Sequence, residues 1–67
     1  MNDKSIKLKN IGYLCKKYRK MKGIKQLTVA KHLKLSQARI SLFEQGKNDS
    51  LYIFLGYIEL DIISNIP

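Results

Sequence analysis

A chain of 67 residues with a formal net charge of +8 allows one small domain with a modest core. A single cysteine excludes an intramolecular disulfide and a cysteine-based zinc site, and one histidine with five scattered acids offers no catalytic constellation, no metal site and no cofactor site. The longest apolar stretch, Leu51 to Ile58, is too short to cross a bilayer, and the first residues hold no run resembling a signal peptide, so no membrane partner and a reducing, cytoplasmic setting are expected.

The charge is unevenly spread. All thirteen Lys and Arg lie between Lys4 and Lys47, and the first 47 residues hold only Asp3 and Glu44 as acids. From Asn48 onward there is no basic residue and three acids, Asp49, Glu59 and Asp61. A basic front and an acidic, apolar back imply a side that faces a polyanion and a side that packs.

Residues 1–7 read as a short basic arm. A first helix is expected over 8–22, with Leu8, Ile11, Cys15 and Tyr18 as its inward stripe and Gly23 as its stop. Gly12 weakens that helix by roughly 1 kcal/mol and permits close approach of another element. Cys15 on the stripe reads as a buried, inert thiol. A second helix starts at Lys25 and Gln26, with Val29, Ala30 and Leu33 inward and His32 on its solvated side. Lys34 and Leu35 interrupt the pattern, and Ser36 offers an N-cap hydroxyl. A third helix is expected from about Gln37 to Gln45, with Ile40 and Phe43 inward and Gly46 at the left-handed position that closes it.

Ser50 caps a fourth helix, about Leu51 to Leu60. Leu51, Phe54, Leu55 and Ile58 are taken as its inward face, which leaves Tyr52, Ile53 and Tyr57 outside. The tail, Asp61 to Pro67, adds Ile62, Ile63 and Ile66 and has room for a short fifth helix. Residues 51–67 therefore offer more apolar surface than a small monomer covers. Tyr52, Ile53, Tyr57, Ile62, Ile63 and Ile66 are read as a homodimer surface; the alternative is a tail that folds back on its own chain.

The stretch QLTVAKHLKLSQARISLFEQG, Gln26 to Gly46, resembles the helix-turn-helix of Cro-like and phage-repressor-like (Xre-type) regulators. The resemblance extends upstream through IGYLCKKYRKMKGIKQ and downstream through EQGKNDSLYIFL, about residues 11–60. It is carried jointly by Gly23-Ile24, Gln26, Ala30, Leu33, Ser36, Gln37, Ile40, Ser41, Glu44 and Gly46 in register. The chain departs from the pattern at the turn, where Lys34 replaces the usual Gly. Either Lys34 then turns left-handed, at a cost of about 1 kcal/mol, or the turn differs slightly from the pattern.

The resemblance implies an all-α, compact four-helix domain over 1–67, with the helix-turn-helix at 26–45. It implies an ion pair between Arg19 and Glu44, and Gln37 at the position that most often reads a base. In a major groove Gln can bond adenine at N6 and N7, while Ala38 and Leu42 can pack on thymine methyls and Ser41 can reach a base. Lys25, Gln26, Ser36, Arg39, Gln45, Lys47 and Asn48 are the expected phosphate contacts, which orient without specifying sequence. The expected function is sequence-specific binding of double-stranded DNA by a small phage-type or prophage-type repressor, as a dimer on a palindromic operator. A different class stays open, an antitoxin- or antirepressor-like partner binder on the same scaffold, a protein-interaction module whose back surface binds a toxin, an antirepressor or a larger regulator, with weak DNA binding. An enzyme is not expected.

Overall fold

The computed structural model describes residues 3–63, with side chains from residue 11 onward. Four helices follow in chain order, α1 (Asp3–Met21), α2 (Gln26–Leu33), α3 (Gln37–Glu44) and α4 (Leu51–Glu59), and the described residues form no strand. The class is the all-α four-helix domain expected from the sequence. α1 begins at Asp3, so residues 3–7 are helix rather than an arm. No Gly or Pro interrupts residues 3–11, and a helix once nucleated propagates through such a stretch. After α4 the chain turns, and the described residues contain no fifth helix. Ile66 lies outside the described residues, and Leu8 outside the described side chains.

All four helices end the same way. Gly23 (φ 69°), Lys34 (φ 59°), Gly46 (φ 78°) and Asp61 (φ 60°) each turn left-handed just past a helix end. The next amide then bonds the carbonyl five residues back: Ile24 to Arg19 at 3.1 Å, Leu35 to Ala30 at 2.9 Å, Lys47 to Leu42 at 3.0 Å and Ile62 to Tyr57 at 2.9 Å. This closure satisfies carbonyls that a helix end would otherwise leave unpaired. Three of the four following residues, Ile24, Leu35 and Ile62, are apolar and pack in or against the core, so each stop also anchors the chain. At the starts, the Ser36 hydroxyl accepts from the Arg39 amide and the Ser50 hydroxyl from the Ile53 amide, both at 3.2 Å.

The core contains Cys15, Val29, Ala30, Leu33, Ile40, Phe43, Ile53, Tyr57 and Ile62. Two glycines set the helix spacing. A Cβ on Gly12 would sit 1.9 Å from the Phe43 carbonyl oxygen, so α1 touches the end of α3 backbone to backbone there. A Cβ on Gly56 would meet the Leu33 side chain at 2.7 Å, so α4 seats its bare Cα against a side chain of α2.

Two faces differ from the sequence reading. On α1 the inward residues are Ile11, Gly12, Cys15 and Arg19, while Tyr18 is 40% exposed. Arg19 takes the place expected for Tyr18 because its guanidinium is drawn in by Glu44. On α4 the inward residues are Ile53, Gly56 and Tyr57, whereas Leu51, Leu55 and Ile58 are exposed and Phe54 is half-buried. Both sets fit helical spacing. The close contact at Gly56 and the hydrogen bond of Tyr57 select the second.

Candidate nucleic-acid interface

The centre of the site is a buried charge. Arg19 and Glu44 are both almost fully buried, at 7% and 3% exposure, in a domain with few polar core groups. Arg19 donates from Nε to Oε2 of Glu44 at 2.8 Å and from Nη2 to Oε1 at 3.0 Å, a two-pronged pairing that ties α1 to the end of α3. Its Nη1 donates to the Ile24 carbonyl at 2.9 Å, which fixes the α1–α2 turn to the same group.

Glu44 has two further donors. Gln26 donates from Nε2 to Oε1 at 3.0 Å, and the Tyr57 hydroxyl donates to Oε2. Among the described side chains, no buried nitrogen or oxygen lacks a hydrogen-bond partner. Burial alone pushes the Glu44 carboxyl up, but hydrogen bonds from Arg19, Tyr57 and Gln26 outweigh it and hold the group below the ordinary carboxylate range. Hydrogen bonding to Glu44 raises Arg19 further, against its own burial. Burial first, and Glu44 second, raise the Tyr57 hydroxyl far above its ordinary value. The same two causes push the Cys15 thiol up to about 12, so it is a protonated, buried group as expected.

From this centre a chain of side chains leads to the surface. The Gln26 carbonyl oxygen accepts from Nε2 of Gln37 at 3.2 Å. Gln37 is the first residue of α3, exposed beside the start of α2. Ala38, Arg39 and Leu42 are exposed on the same helix, Gln45 is exposed just past its end, and Ser41 is half-buried with its hydroxyl accepting from Gln45 at 2.9 Å. Lys25, Ser36 and Lys47 are exposed, and Asn48 is half-exposed just past the end of α3. The expected base-contacting and phosphate-contacting residues thus sit on α3, on its two ends and at the start of α2. The Gln26 side chain is the exception, since one amide hydrogen goes inward to Glu44 and its carbonyl is taken by Gln37.

The expected dimer surface is largely corrected. Ile53, Tyr57 and Ile62 are buried within one chain, because α4 packs against α1 and α2, Tyr57 reaches Phe43 and Glu44 of α3, and the left-handed turn at Asp61 brings Ile62 back into the core. Ile63 is half-buried against that core. Of the named residues with described side chains, Tyr52 alone is exposed, and its hydroxyl donates to the Leu33 carbonyl at 3.0 Å. The apolar surface that α4 presents is instead Leu51, Tyr52, Leu55 and Ile58.

Three contacts escaped the sequence reading. His32, expected to be solvated and alone, pairs its Nε2 with Oε1 of Glu59 at 2.7 Å. Tyr57 and Gln26 both converge on Glu44. Gly56 was the available signal for Tyr57, since a glycine inside an apolar helix marks a close approach and so the face beside it. Among the described residues no group of three or more His, Cys, Asp or Glu gathers to hold a metal ion, and no helix is long and apolar enough to cross a membrane. No protein-family model, curated protein or solved structure matches this chain.

Proposed function

We propose that this protein is a sequence-specific binder of double-stranded DNA, a small transcription regulator of the Cro/phage-repressor (Xre) type, with α3 as the helix that enters the major groove. The observation that carries this reading is Gln37. It stands exposed at the first turn of α3, with its amide held by Gln26 on the buried Glu44–Arg19 pair. A held amide is suited to the paired bonds that distinguish adenine, because less side-chain freedom is lost on binding.

Ala38, Ser41 and Leu42 complete the base-facing set. Lys25, Ser36, Arg39, Gln45, Lys47 and Asn48, with the backbone amides at the start of α2, take the phosphates. The simplest mechanism is repression by occupancy of an operator, in the cytoplasm. Two copies related by a two-fold axis would place their α3 helices in successive major grooves, about 34 Å apart.

Selection of sites from random duplex DNA at two salt concentrations tests the reading. A two-fold symmetric motif with half-sites one helical turn apart supports it, and affinity should fall steeply with salt. Gln37→Ala should lose about 1–3 kcal/mol of discrimination at one base pair, whereas Lys47→Ala should weaken all duplexes alike and flatten the salt slope. Absence of binding at either salt overturns it. The exposed stripe on α4 favours a second reading, a protein-interaction module with weak DNA binding. A tight hetero-complex without a DNA shift would establish that instead.

A further inference from the structure

The carboxylate of Glu44 receives one donor from α4, a helix outside the proposed groove contact. Oε2 accepts from Arg19 Nε at 2.8 Å and from the Tyr57 hydroxyl, while Oε1 accepts from Arg19 Nη2 and Gln26 Nε2, each at 3.0 Å. Four donors fill the four lone-pair sites of an ionised carboxylate, a group that only accepts. Gln26 must therefore turn its NH2 inward and its carbonyl outward. That carbonyl also only accepts, so Gln37 must turn its NH2 toward Gln26, at 3.2 Å, and its own carbonyl away. A buried negative charge thus sets the sense of two successive amides.

Arg19 alone would leave the carboxylate one open lone pair on each oxygen. The Tyr57 hydroxyl closes the one on Oε2, which leaves Oε1 as the place where Gln26 can bond. We propose that Tyr57 is a positioning residue for the reader: by occupying Oε2 it confines Gln26 to Oε1, and so fixes where Gln26 holds the Gln37 amide. The role in recognition rests on the reading of Gln37 as a base contact.

Tyr57→Phe tests it, since the ring keeps its packing on Phe43, with centroids 5.7 Å apart. In the free protein, nitrogen-resolved NMR of the side-chain amides should show the Gln26 and Gln37 signals moved and the Gln45 signals unmoved. Unmoved Gln37 signals overturn the coupling, whatever the protein does with DNA. On the duplex selected from the random pool, Tyr57→Phe should lose discrimination about tenfold at the base pair read by Gln37, with affinity for unselected duplex retained. Equal weakening on every duplex overturns the proposal and leaves Tyr57 a stability residue. In a Gln26→Ala background Tyr57→Phe should change discrimination no further, and an additional loss there would break the relay. A wild-type protein without sequence preference would instead sink the base-reading role of Gln37, and the amide signals would still report on the coupling.

Discussion

At the scale of single residues, Glu44 has the largest consequences. It is buried, ionised and bonded by Arg19, Gln26 and Tyr57, which come from three other helices or their starts. Its removal strands the Arg19 guanidinium inside the protein, so Glu44→Ala should cost about 3–5 kcal/mol, most of the stability of so small a domain. A melting temperature equal to wild type would contradict this. The pH dependence follows from the same contacts. The folded Glu44 titrates below its ordinary 4.5, so the unfolded chain binds more protons as the solution is acidified. Its contribution is full above 4.5 and is lost as pH falls through the lower folded value. On the alkaline side the sign reverses. Cys15 moves from an ordinary 9.0 to about 12, so the unfolded thiol ionises first and stability declines as pH rises across that interval. Melting temperatures measured against pH should show both limbs, and Cys15→Ala should shrink the alkaline one, leaving the part that the raised Tyr57 hydroxyl contributes above its ordinary 10.0.

At the scale of elements, the shared left-handed closure explains how short helices stop cleanly in a chain with few glycines. Gly23 and Gly46 adopt that conformation freely, whereas Lys34 and Asp61 do so against their own Cβ. Lys34→Gly should stabilise the fold by about 1 kcal/mol, read as a rise of about 4–8 °C in melting temperature. Asp61→Gly should give a smaller gain, because a short polar side chain tolerates the left-handed region better. A fall on Lys34→Gly would show that the Lys34 side chain contributes something the backbone geometry does not. The helices, the two serine caps, the turn at Lys34 and the Arg19–Glu44 pair were legible in the sequence, because spacing, cap chemistry and a familiar register are local signals. The inward face of α4 was not. Leu51, Phe54, Leu55 and Ile58 repeat at the same interval as Ile53, Gly56, Tyr57 and Leu60, so periodicity cannot choose between them. The choice lies in what the rest of the core requires, a hydroxyl for Glu44 and a bare Cα beside Leu33. Gln26 was read for its place at a helix start, and its inward bond depends on a carboxylate eighteen residues away that spacing does not reveal.

At the scale of the molecule, the corrected face of α4 changes where a partner would sit. With Ile53 and Tyr57 buried, the exposed apolar stripe is Leu51 (71% exposed), Tyr52 (58%), Leu55 (46%) and Ile58 (36%), and no basic residue follows Lys47. The basic residues all precede that helix, so a contact between two copies through α4 would bring apolar surface together and keep most positive charge available to DNA. If that contact forms the proposed dimer, Leu55→Glu should separate it. Placed on an exposed position, the substitution should shift folding stability by no more than about 0.5 kcal/mol, while light scattering at micromolar concentration moves from two chains to one. Affinity for a palindromic site should fall and affinity for a half-site should hold. Ile53→Glu is the discriminating control. It places a charge inside the core of one chain, so it should unfold the protein rather than divide the pair. A wild-type mass of one chain at that concentration would refute a stable dimer and leave the α4 stripe to a different protein. A folded, monomeric Ile53→Glu variant would return the interface to the other face of α4. Loss of dimer on Leu55→Glu with an intact fold would place the partner on the stripe that α4 exposes.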